Sequence, residues 1–413
     1  MKRIPEFISI IVRPFLLMIY FLAGLLPRKP NIWVFGSNGG ENFSGNPKYL
    51  FLYCSQHRSR EIRPIWISRN PHIVAELKEH GYEAYLLYSC NGILACLKGG
   101  TWLFDHSTDD ITYYLANGAT TINLWHGMPL KKVGWDDLFS KWLYAKGWRK
   151  YAYRLVLPWF FERYDMMLIP CAAGVAILAG AFHQPRNTIY VAPYPRTMGF
   201  IHEIPDVLIG CPGSSFMYLS HLRKGGTRIV MYMPTFRDRS DERFFNIVNM
   251  YDFDKFLGKH RLCLAIKAHP RSSLTKKVDS DRFANVVVIP GSADPYPYLT
   301  ITDVLITDYS SIYFEFMLVN RPIIFFCYDL KEYTSQNRGL YFEYNHITPG
   351  PKVDSIESLY YEIIKSTDES YYAVERLSLF NMLRFKEMHH ASIDNTIDYI
   401  SSLAKCDNEQ RTI

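Results

Sequence analysis

Val304-Leu-Ile-Thr-Asp308-Tyr-Ser310-Ser311-Ile-Tyr-Phe-Glu315-Phe-Met-Leu-Val-Asn320-Arg321-Pro322-Ile-Ile-Phe-Phe326 reads as strand, turn, helix and strand. The apolar run Val304–Thr307 passes straight into a polar turn, after which Ile312, Phe316 and Val319 recur at helical spacing. Beyond Pro322 comes a second unbroken apolar run, Ile323–Cys327. Runs without alternation suit strands buried on both faces, as in a parallel sheet covered by helices. The stretch therefore predicts an α/β fold. Asp308 or Ser310 is placed to cap the helix. Free backbone N–H groups and the Ser310 and Ser311 hydroxyls at a helix start also make an anion site; plain capping is the alternative, and the two are compatible.

Working outward, the same grammar recurs. Toward the N-terminus, Arg228–Met233, Leu262–Lys267 and Val286–Ile289 read as strands of the same sheet. A Pro-rich loop with Pro193, Pro195, Pro205 and Pro212 precedes them. Before it, Asn31–Phe35, Arg63–Ile67, Ala84–Tyr88, Thr101–Phe104 and Thr121–Trp125 form another strand series, with Pro71–His80 as a connecting helix. A chain of 413 residues is long for one core and comfortable as two domains. The expected division is a membrane-associating segment at 1–30, a first Rossmann-like domain at 31–205 and a second at 206–413 that includes the C-terminal helices.

Ligands of open parallel sheets bind beyond the carboxyl ends of the strands, so polar residues there are the candidates. His126-Gly127 follows the strand at Thr121–Trp125 and leads into Lys131-Lys132. A neutral imidazole there can serve as general base; the bland alternative is a histidine tied to a loop carbonyl, and the dilysine tips the balance toward function. Gly127 lets a substrate approach the backbone closely. Arg237 lies past a strand end, where its planar fork can grip a diphosphate or pair with Asp238. Lys267 and His269 leave a strand end together, a good place to neutralise a leaving phosphate.

The remaining composition narrows the class. Charged residues are 21% of the chain, which argues against general disorder. The 8 cysteines lie far apart with no metal-ligand spacing, so a structural zinc site is not expected; no aspartate pair or DxD motif stands out, so little dependence on divalent ions is expected. From Lys131 to Arg163, 8 basic residues face 3 acidic ones. Within it, 136–163 interleaves Trp, Tyr and Phe with Lys146, Arg149, Lys150 and Arg154, which suits an anionic membrane surface; an ordinary helix packed on the domain is the alternative. Near the N-terminus, Arg13-Pro14 interrupts an apolar stretch and leaves a run of 12, Phe15 to Leu26. A spanning helix needs about 20 residues, so an interfacial anchor is expected ahead of a span or a core helix. A short basic stretch joined to an apolar segment argues against nucleic acid.

Together and in order, these segments resemble the CDP-glycerol glycerophosphotransferase family of teichoic-acid and related polymer synthesis. The matching motifs are LWHG-x-PLKK at 124–132, Y-x-PTFRD at 232–238, K-x-HP at 267–270 and ITDYSS at 306–311. Arg321-Pro322-Ile-Ile-Phe and Tyr328-Asp329 also fit. Departures are Met128 where Thr is common, Glu315 where Asp is common, and Pro193-Tyr-Pro195-Arg196-Thr-Met198, which lacks the Gly and Asp of a related motif.

The resemblance implies a glycosyltransferase-B-like fold, with the active site between two Rossmann-like halves, on the cytoplasmic face of a bacterial cell membrane. It implies transfer of a polyol phosphate from CDP-glycerol or CDP-ribitol to an undecaprenyl-diphosphate-linked glycan, releasing CMP, in teichoic-acid or capsule-like synthesis. On that mapping His126 and His269 are catalytic. Arg237, Lys267, Thr307, Asp308, Ser310, Ser311 and Glu315 hold the donor. Gly127, Lys131, Lys132, Lys146, Arg149 and Lys150 face the acceptor and membrane. No cofactor is implied, and the want of a further module points to a single or short addition. The rival readings are a nucleotide-sugar glycosyltransferase of the same fold and a non-catalytic peripheral protein that binds lipid diphosphates.

Overall fold

The computed structural model describes residues 6–138, 140, 142–235, 241–268, 272, 278, 282–330, 332–333, 339–386 and 390–411, with the side chains of 6–14, 241–243, 390–391 and 406–411 excepted. Arg237 and His269 therefore lie outside the described residues. The chain divides into two compact units: Met1–His126, Lys132–Gly210 and Phe385–Ile413 form the first, and Gly127–Lys131 with Cys211–Arg384 the second.

In the first unit the strands are β1 (Lys29–Phe35), β2 (Arg63–Ser68), β3 (Ala84–Leu86), β4 (Gly99–Phe104), β5 (Thr120–Asn123), β6 (Met166–Ile169) and β7 (Ile189–Val191). They form one parallel sheet in the order β3-β2-β1-β4-β5-β6-β7. The chain runs outward from β1 to β3 and then returns to β4, so β1 and β4 flank a topological switch point, the place where ligands of such sheets bind. The central strands are buried, as their apolar runs demand. The helices are α1 (Glu6–Ala23), α2 (Gly45–His57), α3 (Pro71–Glu79), α4 (Cys90–Lys98), α5 (Trp148–Val156) and α6 (Ala173–Phe182). Tyr49, Leu50, Phe51 and Leu52 of α2 are all buried, so this helix is enclosed rather than amphipathic. β6 and β7 were not evident in the sequence, where they are short runs beside a segment dominated by aromatic and basic residues.

Helix α1 runs unbroken across Pro14, the residue that with Arg13 interrupts the apolar run in the sequence. A proline removes one intrahelical N–H, and here the rest of the ladder carries the helix through. It docks through Tyr20, whose ring stacks on Tyr113 at 4.7 Å. Phe15, Met18, Phe21, Leu22 and Leu25 point outward and are exposed. Among the described residues no helix is long and apolar enough to cross a membrane.

The second unit holds β8 (Arg228–Met233), β9 (Leu262–Ile266), β10 (Val286–Val288), β11 (Val304–Thr307), β12 (Ile323–Phe326) and β13 (Lys352–Val353), in the parallel order β10-β9-β8-β11-β12-β13. Its helices include α7 (Gly213–Lys224), α8 (Asp241–Ile247), α9 (Met250–Lys259), α10 (Tyr296–Thr300) and α11 (Ile312–Phe316). Val230, Leu264, Ile306 and Ile324 from the sheet pack with Phe253 and Leu257 of α9. Its switch point lies between β8 and β11. Helix α11 is shorter than the sequence spacing suggested: a tighter 3-10 turn, Met317–Val319, takes over its second half.

The last helix, His390–Arg411, belongs to the first unit, not to the second where the sequence order placed it. Asp394 accepts from the Tyr53 hydroxyl at 2.9 Å, Arg58 reaches both Asp394 and Asp398, and Tyr399 stacks on Tyr190.

Candidate active site

The first unit gathers its polar groups beside the β1/β4 switch point. Asp105 and His106 follow β4 directly, and His126 stands just past β5. Two asparagines shape the turn that carries His126. Asn123 accepts from the Trp125 N–H at 2.9 Å and donates to the His106 carbonyl at 3.1 Å. Asn46, buried on α2, donates to the carbonyls of Leu124 at 2.9 Å and Trp125 at 2.7 Å. These bonds hold Trp125 at φ +53°, a left-handed conformation that side chains other than glycine's rarely adopt. Gly127 follows at φ +142°, where a β-carbon would be strained.

His126 Nδ1 lies 2.8 Å from the backbone carbonyl of Asp105. A carbonyl only accepts, so Nδ1 carries the proton and the neutral ring keeps its lone pair on Nε2. Nε2 makes no hydrogen bond to any described residue. The ring stacks on His106 with 4.1 Å between centroids and 11° between planes. His106 Nδ1 meets the Asp105 carboxylate at 2.7 Å and lies 3.8 Å from Asp110. Asp110 itself caps the loop, accepting from the N–H groups of Gly39 at 2.7 Å and His106 at 2.8 Å. The His106 side chain is 47% exposed; desolvation would lower its pKa, but the Asp105 charge and hydrogen bond raise it to about 9. Burial, then the charge of His106, lowers His126 to about 3. Asp105 is held below the usual carboxylate range by His106 despite its burial, and burial pushes Asp110 up.

Donor atoms of Asp105, His106 and Asp110 all fall within 4.8 Å of one another. Asp105 and His106 are paired with each other and Asp110 accepts from backbone N–H groups, so in this structure the three form an ion-pair network. Arg196 is buried nearby, and its positive charge lowers both His106 and His126. Of this cluster, sequence reading singled out only His126 and the motif around Arg196. Asp105 and His106 sit at the end of an anticipated strand, so the strand-end rule applied there would have found them. Asn46, far away in sequence, left no such signal.

In the second unit the expected donor residues flank the β8/β11 switch point. Lys267 is buried at the end of β9 and donates to the Gly291 carbonyl at 2.7 Å. Burial lowers its amine to about 8, partly offset by Asp294. The Thr307 hydroxyl donates to the Met233 carbonyl at 2.8 Å, and the Asp308 carboxylate accepts from the Thr235 N–H at 2.8 Å. These bonds brace the ends of β8 and β11. The capping expectation is corrected: Ser311 is the N-cap, without a side-chain cap, and Ser310 is only 3.5 Å from the Ile312 N–H. Glu315 is buried within the unit and accepts from the Tyr296 hydroxyl, so it orders a neighbour inside the fold instead of standing open at the strand ends. Lys131 belongs to this unit, its amine 5.0 Å from the Tyr333 ring, whereas Lys132 belongs to the first.

The aromatic-basic element at 136–163 resolves into a 3-10 turn (Gly134–Asp136), α5 and a second 3-10 turn (Pro158–Phe161). No residue of α5 is buried, and α5 packs beside α1. Trp148 is 75% exposed and Tyr151 70%, with Lys146, Arg149 and Lys150 also exposed, so an outward face combines rings and cations.

Residues 18–400 match the model of the family described as CDP-glycerol:poly(glycerophosphate) glycerophosphotransferase. The chain belongs to this family. It is accordingly a phosphotransferase of the CDP-glycerol glycerophosphotransferase type. It is 28% identical over 370 residues to the teichoic acid glycerol-phosphate transferase of Staphylococcus aureus, covering 84% of this chain and 87% of that one. With the teichoic acid glycerol-phosphate primase of Bacillus subtilis it shares 32% identity, over 78% of this chain and 80% of the relative. Against the longer poly(glycerol phosphate) polymerase of Staphylococcus epidermidis, 28% identical, it spans 44% of the relative's length. The fold matches that of the wall teichoic acid polymerase TagF, solved as a histidine-to-asparagine variant with CDPG, at a TM-score of 0.74 and 24% identity over 99% of both chains. The strand order and the family thus agree on a pair of parallel-sheet α/β units.

Proposed function

We propose that this family member transfers glycerol phosphate from CDP-glycerol to a hydroxyl of a membrane lipid-linked glycan, releasing CMP, in teichoic-acid synthesis. The observation that carries the reading is the pinned His126 ring, with Nδ1 on the Asp105 carbonyl and Nε2 open. The acceptor oxygen forms its bond to the phosphorus bearing the glycerol, the bond from that phosphorus to the CMP oxygen breaks, and the hydroxyl proton passes to His126 Nε2. Charge that grows on the leaving phosphate is met by fixed cations: Lys267 in the second unit, with Arg237 and His269 in the roles their motifs suggest. Glycerol phosphate is preferred over ribitol phosphate because the glycerol-phosphate transferase and primase named above are among the relatives, while a ribitol-phosphate primase of Bacillus spizizenii, 26% identical over 92% of this chain, keeps CDP-ribitol as the second donor to test.

We place the chain at the cytoplasmic face of the cell membrane as a peripheral, monotopic protein. In support, the exposed apolar face of α1 and the rings and cations of α5 lie on neighbouring helices. Rings of this kind enter the interfacial layer while Lys and Arg meet anionic headgroups. An undecaprenyl-diphosphate-linked glycan acceptor is carried in the same surface.

The decisive assay gives the full chain CDP-glycerol, or CDP-ribitol, with a short-chain lipid-diphosphate disaccharide and follows CMP. Release that needs both donor and acceptor, and that His126→Ala abolishes in a folded protein, is expected. Release of a nucleoside diphosphate from a nucleotide sugar, with no CMP from either donor, would sink the proposal in favour of a glycosyltransferase.

A further inference from the structure

We propose that His106 is a positioning residue for His126: its ring, held as a fixed cation by Asp105 and Asp110, lies face-on against His126 and keeps that ring neutral with Nε2 open. The inference rests on the reading of His126 as the base. Two imidazole rings separated by 4.1 Å in parallel planes resist being charged together. The geometry decides which of them takes the proton. Asp105 presents its carboxylate to His106 at 2.7 Å but only its neutral backbone carbonyl to His126 at 2.8 Å. Asp110 adds a second carboxylate on the His106 side at 3.8 Å.

The other groups around His126 act in the same direction or are neutral. Arg196 contributes a second positive charge, while Asn46 and Asn123 hold the turn without charge. The directions of titration agree, His106 being raised and His126 lowered. The chemistry explains why such a device is useful. An arriving diphosphate donor is anionic and raises the proton affinity of any imidazole beside it. A base that entered the reaction already protonated could accept nothing. A cationic ring stacked against His126 opposes that protonation without occupying Nε2.

The test uses the full chain carrying 15N-labelled histidine, with the His126 ring signals assigned by their loss in His126→Ala. Ring titration is compared in the native protein, in His106→Asn, which keeps an N–H toward Asp105 without the charge, and in His106→Phe, which keeps the stacked ring. In both variants the His126 midpoint is expected to rise by at least about one pH unit, a tenfold gain in proton affinity. The acid limb of kcat/KM is expected to move the same way, which a purely structural defect would not cause. An unmoved His126 midpoint in folded variants, or a native His106 that loses its proton before His126 does as pH rises, overturns the proposal. If His126→Ala retains transfer, the base reading fails, and the ring titration alone still decides whether His106 controls the charge of His126.

Discussion

The side-chain amide of Asn46 donates to the backbone carbonyl of Trp125 at 2.7 Å, and Trp125 sits at φ +53°. Backbone in that region costs about 1–2 kcal/mol for a residue other than glycine, so the turn stays in place because Asn46 holds its carbonyls and Asn123 the Trp125 N–H. Asn46→Ala removes the bonds to the Leu124 and Trp125 carbonyls, and the one its side-chain oxygen accepts from the Arg196 N–H at 3.3 Å, from a fully buried position. Stability is expected to fall by about 1–3 kcal/mol, the cost of leaving buried polar groups unmet. As the turn relaxes, His126 moves, and kcat is expected to drop roughly a hundredfold, as for a base displaced by an ångström. Thermal unfolding and CMP release measured on the same preparation check both parts.

Lys267 gives the donor side a pH dependence. Its amine titrates at about 8 because it is buried. Since this is a base with a lowered value, it is charged below that pH and neutral above it. The KM for the CDP-activated donor is therefore expected to rise as pH increases through 8, while Lys267→Met shows a KM raised tenfold or more with no such step. A donor KM that stays flat across this range in the native chain would remove Lys267 from phosphate binding.

Glu162 carries a separate pH signature. Burial raises its carboxyl to about 8, and the Thr108 hydroxyl donates to it at 2.7 Å. An acid raised on folding contributes stability that is complete below its unfolded value, near about 4.3, and is lost as pH rises through the folded one. Glu162→Gln keeps the shape and removes the charge. It is expected to raise the melting temperature at pH 8 and above and to change little at pH 5. Equal shifts at both values would show that Glu162 is not neutral in the fold.

The outward face of α1 and α5 makes a prediction about surfaces. Charge reversal at Lys146, Arg149 and Lys150 is expected to weaken binding to anionic vesicles at least tenfold, since each cation near such a surface contributes about 1 kcal/mol. Trp148→Ala with Tyr151→Ala is expected to weaken binding to neutral and anionic vesicles alike. Vesicle co-sedimentation at matched ionic strength separates the two effects.

Much of the architecture was legible in the residue string because a strand buried on both faces leaves an unbroken apolar run. Arg228–Met233 and Val304–Thr307 coincide with β8 and β11, and the other anticipated strands fall within a few residues of β1 to β5, β9, β10 and β12. The polar residues beyond those runs pointed to His126 and Lys267 for the same reason: a parallel sheet opens at its carboxyl edge. Short edge strands such as β7 and β13 carry too few residues to show a period.

By itself, then, the sequence determined the alternating α/β grammar, the family motifs and the strand ends where chemistry could sit, because these are encoded by neighbours along the chain. The tertiary structure alone decided which distant groups meet there. Asn46 reaches Trp125 from α2, Asp105 lies between two histidines from different loops, and the C-terminal helix returns to the first unit through Asp394 and Arg58. Hydrogen bonds and ring stacking depend on distances of a few ångströms between residues far apart in the chain, and no local period records them. Thus His126 was visible as a candidate base, but the Asp105 carbonyl on its Nδ1 and the His106 ring against its face are contacts that only the folded sheet supplies.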